Sequence, residues 1–185
     1  MMSEIAMSVL DVAENSVRAK ATWVRIEVLV DETADSLIVS IEDNGCGMSE
    51  EQVRKVSDPF FTTRTTRKVG LGVPFFKEAC ECTGGDFTIE SKEGVGTKFT
   101  ARFVLSHIDR IPLGDINGSI HQLVTFREEI NWIYRYKFND KEFTMDTAEF
   151  REVLGDISFK TKDVSDYIME YLNENKFSVD GGRDI

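Results

Sequence analysis

Basic residues are in short supply in this 185-residue chain: 22 Lys and Arg stand against 33 Asp and Glu, a formal charge of -11. Such a field repels a phosphate backbone or an anionic bilayer, which argues against nucleic-acid and membrane-surface binding. The deficit is evenly spread. Residues 1–111 carry 13 basic and 18 acidic side chains and residues 112–185 carry 9 and 15, so neither part is a basic arm or an acidic tail. Long apolar runs are missing as well; nothing approaches the roughly 20 residues that span a bilayer. The opening Met1-Met2-Ser3-Glu4 lacks the charged-then-apolar layout of a signal peptide, so a soluble, cytoplasmic protein is expected. Cysteine is scarce and odd in number (Cys46, Cys80, Cys82), which fits reduced thiols better than a disulfide framework. Cys80 and Cys82 lie two apart on an expected helix, face different ways and make a poor metal pair.

What is present is enough to fold. With 41% hydrophobic and 10% aromatic residues the chain can build a packed core, which excludes disorder, collagen-like repeats and a disulfide-stapled miniprotein. The stretch from Ser3 to Lys20 places Ile5, Val9, Val12, Ala13 and Val17 at helical spacing. Trp23 to Asp31 and Ser36 to Glu42 alternate as two antiparallel strands, and Ser49 with Gln52 forms a capping box for a short helix to about Val56. Thr62 to Val69 lacks periodicity and reads as a loop. A third helix opens at Gly70-Leu71-Gly72 and ends at Gly84-Gly85, followed by strands at Asp86 to Lys92 and Thr97 to Leu105. The order predicts an α/β sandwich whose mixed or antiparallel sheet is covered on one face by helices.

Pro112-Leu113-Gly114-Asp115 marks a boundary, which divides the chain into residues 1–111 and a 112–185 extension packed on or docking beside them. Within the extension, a helix over Ser119 to Glu129, a hairpin over Ile130 to Lys137 and Glu142 to Met145, and helices over Thr147 to Leu154 and Asp163 to Asn175 make a ββαα-like module. Asp180 to Ile185 reads as a loose tail.

On a wheel of roughly 100° per residue, Asp11, Asn15 and Arg18 share one face of the first helix, opposite its apolar arc. Alone, they would be a solvated polar face. Five segments taken together change that: Asp11-Val12-Ala13-Glu14-Asn15-Ser16-Val17-Arg18-Ala19, Asp43-Asn44-Gly45-Cys46-Gly47-Met48, Pro59-Phe60-Phe61-Thr62-Thr63-Arg64, Gly70-Leu71-Gly72 and Gly94-Val95-Gly96-Thr97. In order and spacing they resemble the motifs of the GHKL superfamily, which comprises DNA gyrase, the heat-shock chaperone ATPases, sensor histidine kinases and the MutL-type mismatch-repair ATPases. The likeness covers roughly residues 3–105.

The resemblance implies a Bergerat-type ATP-binding fold and a set of roles. Asp43 would accept a hydrogen bond from the exocyclic amine of adenine, with Gly45 and Gly47 letting backbone approach the base. Asn15 would ligate magnesium through its hard carbonyl oxygen. Gly70, Leu71 and Gly72 would offer helix-terminal N–H groups to phosphates, and Thr62, Thr63, Arg64, Arg67 and Lys68 would belong to a locally basic lid over them. Thr97 would support Asp43. Asn15→Ala and Asp43→Ala are each expected to remove ATP binding and leave the fold intact.

Two departures shape the functional expectation. Asp11 stands where hydrolysing members carry a glutamate; it is one methylene shorter, and general-base work depends on reach. Arg18 matches the basic phosphate-contacting residue of histidine kinases, the branch the chain resembles most. Only two residues precede the first helix, so the phosphoacceptor hairpin of a complete histidine kinase is expected to be absent, and His107 and His121 are expected to serve packing. The implied activity is an ATP- and magnesium-dependent histidine-kinase-like domain that phosphorylates a separate protein partner in trans, on histidine or serine, or that regulates it. The alternative is an ATP-gated interaction module with little turnover; a homodimer is left open.

Overall fold

In the computed structural model, which describes residues 3–56 and 72–185, six strands form one sheet in the order β3-β4-β2-β1-β5-β6. The elements run α1 (Ile5–Arg18), β1 (Trp23–Asp31), β2 (Ser36–Asp43), α2 (Glu50–Val56), α3 (Gly72–Glu81), β3 (Asp86–Lys92), β4 (Gly96–Val104), α4 (Ile116–Phe126), β5 (Asn131–Phe138), β6 (Lys141–Asp146), α5 (Thr147–Leu154) and α6 (Lys162–Asp180). The sheet is mixed. Pairs β1–β2, β2–β4, β3–β4 and β5–β6 are antiparallel, and β1–β5 is parallel over eight residues, from Trp23 opposite Asn131 to Val30 opposite Phe138. The 112–185 extension therefore continues the same sheet at its β1 edge.

Period-two alternation sets which face is buried. Val24, Ile26, Val28 and Val30 of β1, Leu37, Val39 and Ile41 of β2, and Trp132, Tyr134 and Tyr136 of β5 are all at most 2% exposed. Over this face α3, α1, α4 and α6 lie in a row, each touching the next. The opposite face carries charge in cross-strand register: Arg25 pairs with Glu42 of β2, and Arg135 of β5 bridges Glu27 of β1 and Glu142 of β6 at 3.1 and 2.7 Å.

The helix ends are closed in several ways. The reciprocal box at α2 forms as its sequence predicts: Ser49 N donates to Gln52 Oε1 and Gln52 N to Ser49 Oγ. At α1 the first N–H groups, of Ile5 and Ala6, instead donate to the carbonyls of Pro112 and Leu113, and the Glu4 carboxylate accepts from Asp115 N. The end of the chain departs from expectation. Helix α6 runs to Asp180, and that residue is 4% exposed, accepting from Tyr136 Oη, Lys176 Nζ and Gly182 N. Arg183 pairs with Glu32, and Ile185 O accepts from Leu113 N, so residues 180–185 are bound down, not a loose tail.

Glu128 closes the loop between α5 and α6. Its carboxylate accepts from Phe159 N, Ser158 Oγ and Arg151 Nη2, and these donors, the Phe159 amide first, hold it below the usual carboxylate range. A carboxyl depressed in the folded state stabilises the fold above the ordinary carboxylate range, and that stabilisation is lost as pH falls through the lowered value. Glu128→Gln is thus expected to lower the urea midpoint at neutral pH and to narrow its fall between pH 6 and 3. An unchanged pH profile would show that these bonds contribute nothing to stability.

Candidate functional site

The site is built where the C-terminus of α1 meets the end of β2. Asp43 is the last residue of β2 and 5% exposed; its Oδ2 accepts from Ser16 Oγ at 2.5 Å and its Oδ1 from Gly45 N at 2.8 Å. Each carboxylate oxygen keeps a lone-pair direction for one further donor. Ser16 lies within the α1 motif, and none of the roles that the resemblance implies falls on it. Its signal was available, because a small polar side chain on the apolar arc of α1 needs a buried partner.

The loop after Asp43 is held on three sides. Asn44 Oδ1 accepts from Thr22 N and Trp23 N, and its Nδ2 donates to Thr22 Oγ1. Cys46 N donates to Ala19 O at the end of α1, and Cys46 O accepts from Gly94 N in the β3–β4 turn. Two glycines make this closeness attainable. A Cβ on Gly45 would lie 2.7 Å from Ala19 Cβ, and Gly47, at φ +66°, would put one 2.0 Å from the Lys92 carbonyl oxygen. The space denied to a side chain is therefore occupied by the chain itself.

Thr97 stands directly opposite Asp43 in the β2–β4 register, and its hydroxyl is engaged by Ser91 Oγ at 2.8 Å. Ser91 in turn accepts from Met48 N and donates to Gly96 O. It is a residue that sequence reasoning passed over, and it ties the post-Asp43 loop to β3 and β4. A cleft of about 360 Å³ adjoins these strands between Trp23, Glu42, Glu90 and Lys98. Those side chains alternate with the buried set and face the open side of the sheet, whereas the Asp43 carboxylate points to α1.

On α1, Asp11 and Arg18 are exposed and Asn15 is half-buried, and Arg18 Nη1 donates to Asn15 Oδ1 at 3.3 Å. The expected face of three polar residues is present. Asp11 also lies against the start of α3, where a Cβ on Gly72 would meet Asp11 Cβ at 2.8 Å. A hard cation suits this donor set: Asn15 presents an amide oxygen whose long bond to Arg18 can be exchanged, beside the Asp11 carboxylate. Of the expected site residues, Thr62, Thr63, Arg64, Arg67, Lys68, Gly70 and Leu71 lie outside the described residues. Asp11, Asn15, Arg18, Asp43, Gly45, Gly47, Gly72 and Thr97 all border α1, the β2 end or the loops joined to them.

The other ionisable groups take supporting places. Cys80 is buried in α3, where desolvation and the neighbouring Glu81 charge push its thiol up to about 12, so it is an inert core residue, while Cys46 and Cys82 are exposed. His121 Nε2 meets Ser165 Oγ and O, joining α4 to α6 as packing. Glu14, next to Asn15, pairs with Arg127 just beyond α4 at 3.2 Å. No helix among the described residues is long and apolar enough to cross a membrane.

Comparison with known proteins places the chain among its relatives. A family model described as histidine kinase-, DNA gyrase B- and HSP90-like ATPase matches residues 3–107. A putative sensor protein of Shewanella frigidimarina is 32% identical over 102 residues, 54% of this chain and 16% of that protein. The signal transduction histidine-protein kinase AtoS of Escherichia coli is 35% identical over 92 residues, 49% of this chain and 15% of that protein. The chain thus spans only a small part of the length of these relatives. Among solved structures, the Aquifex aeolicus MutL ATPase domain complexed with ADP superposes with a TM-score of 0.50 at 17% identity, covering 83% of this chain and 70% of that one. Residues 3–107 are 105 of 185, so this likeness of fold takes in part of the 112–185 segment.

Proposed function

The chain belongs to the histidine kinase-, DNA gyrase B- and HSP90-like ATPase family, and on that footing we propose that it binds ATP with magnesium and acts on a separate protein in trans, phosphorylating or regulating it. The observation that carries this is the buried Asp43 carboxylate, fixed from α1 by Ser16 and from its own loop by Gly45 N, with an acceptor direction left over. A carboxylate so held selects a ligand that presents an amine, as adenine does, and a preset acceptor loses little entropy on binding.

On this reading Asn15 offers its amide oxygen to magnesium, which when bound neutralises phosphate charge. Arg18 exchanges its bond to Asn15 for a phosphate oxygen. Gly70, Leu71 and Gly72 supply N–H groups at the head of α3, and Thr62, Thr63, Arg64, Arg67 and Lys68 supply hydroxyls and positive charge. The exposed Asp11, shorter than a glutamate, activates water poorly, which preserves the nucleotide for transfer. Incubation with labelled ATP, magnesium and candidate partner proteins tests the reading: label should move to a histidine or serine of a partner. Intact ATP binding with no transfer to any partner would sink the kinase arm.

A second reading, an ATP-gated interaction module with little turnover, is favoured by one contact. The Glu14–Arg127 pair joins the helix that carries Asn15 directly to the 112–185 segment. Partner binding that differs with and without ATP, in the absence of hydrolysis, would establish it.

A further inference from the structure

The outer side of the α5–α6 pair carries a groove of about 440 Å³. Phe150 forms its floor, edge-on to Tyr167 and Tyr171 with ring centroids 6.2 and 5.4 Å away, and Leu154 extends it. Val153 is 86% and Tyr167 53% exposed, so apolar surface is left in water at the two lips. Neither residue is needed to hold the sheet, because α6 packs inward through Ile168 and Leu172 and α5 through Thr147.

The rim is of one sign. Glu149 and Glu152 on α5 and Asp163, Asp166, Glu170 and Glu174 on α6 are exposed. Asp163, Tyr167, Glu170 and Glu174 follow i, i+4, i+7, i+11 spacing, so acid flanks the aromatic lip along the length of α6. Arg151, the cation of α5, is turned away; it is bonded to Glu128 and lies over the Phe159 ring at 3.8 Å.

We propose that this groove is the seat of a partner protein's basic amphipathic helix, whose apolar face enters between α5 and α6 while its Lys and Arg side chains meet the acidic rim. Charge decides among occupants. A second copy of this chain would bring the same acidic rim against itself, and an anionic bilayer would be repelled by it. An apolar stripe flanked by cations satisfies both the lips and the rim, in the helix-in-groove mode of recognition. The proposal deepens the reading of a protein partner and rests on it only for the partner's being a protein.

The test uses the full chain and a synthetic peptide of about 18 residues with Leu at i, i+3, i+4 and i+7 and Lys elsewhere, against a Leu/Glu peptide of the same pattern. Titration calorimetry should show binding of the Leu/Lys peptide alone, with amide shifts confined to α5 and α6. Val153→Glu and Tyr167→Glu, both at exposed positions, should each weaken it about tenfold, as loss of a central apolar anchor does. The double change Glu149→Lys with Glu152→Lys should weaken it at low salt and remove most of its salt dependence. Equal affinity for wild type and both lip variants would show general attraction to an acidic surface and overturn the proposal. So would concentration-dependent dimerisation abolished by the same variants. Peptide binding by a chain that fails to bind ATP would support the groove and overturn only the nucleotide reading.

Discussion

Asp43→Asn is expected to weaken Mg-ATP binding by on the order of 100-fold, the worth of one charge-assisted buried hydrogen bond, while the chain stays folded. The substitution keeps the shape and the acceptor that Gly45 N uses. At the other position an amide NH2 replaces Oδ2, and the Ser16 hydroxyl can rotate to accept from it. The same NH2 cannot accept from adenine's amine and meets it donor to donor. Asp43→Ala is expected to remove binding as well, and to lower stability without unfolding the chain. It leaves Ser16 Oγ, in a residue 1% exposed, and Gly45 N without partners, at about 1–3 kcal/mol each, so a lower melting temperature accompanies the lost binding. Calorimetry with Mg-ATP and thermal melts separate the two effects. Undiminished affinity in Asp43→Asn would refute the assignment of Asp43 to the base.

Asp180→Ala is expected to cost about 3–5 kcal/mol, a large share of the stability of a domain this size, because it leaves a charge buried and uncompensated. The Asp180 side chain is fully buried, and the Lys176 side chain that donates to it is only 19% exposed. Tyr136 Oη would lose its acceptor 2.8 Å away, and Gly182 N would lose its own. Replacing the pair together, Lys176→Met with Asp180→Leu, should recover only the part of the loss that comes from the uncompensated charge, since Tyr136 Oη and Gly182 N still lack their acceptor. Urea unfolding of the two variants beside the wild type checks this. A change in midpoint no larger than that of a surface substitution would mean that the buried Asp180 cluster contributes nothing.

Local grammar carried much of the fold. The Ser49/Gln52 box, the stripe from Ile5 to Val17 and the alternation of β1 and β2 are short-range patterns, and each forms where its residues say. What stayed hidden needed partners distant in sequence. Nothing in Asn131–Phe138 names β1 as its neighbour, because a parallel pair joined across about a hundred residues has no turn to announce it. Asp180 before Gly181-Gly182 reads as the start of a loose tail, and only Tyr136, 44 residues earlier, makes it a core residue. The site divides the same way. Asp43 and Asn15 stood out by motif, while Ser16 and Ser91 act by joining elements, a role that emerges only once α1, β2, β3 and β4 are side by side.

The parallel seam between β1 and β5 also orders events in time. Residues 3–107 can leave a ribosome and pair β3, β4, β2 and β1 with one another, but the far edge of β1 must wait until Asn131–Phe138 has been made. Until then its N–H and C=O groups form an open strand edge beside half a core, the kind of surface on which nascent chains stick to one another. Because a contact so remote in sequence closes late, the sheet of the family-matching segment is completed by the 112–185 segment, which carries none of the five motifs.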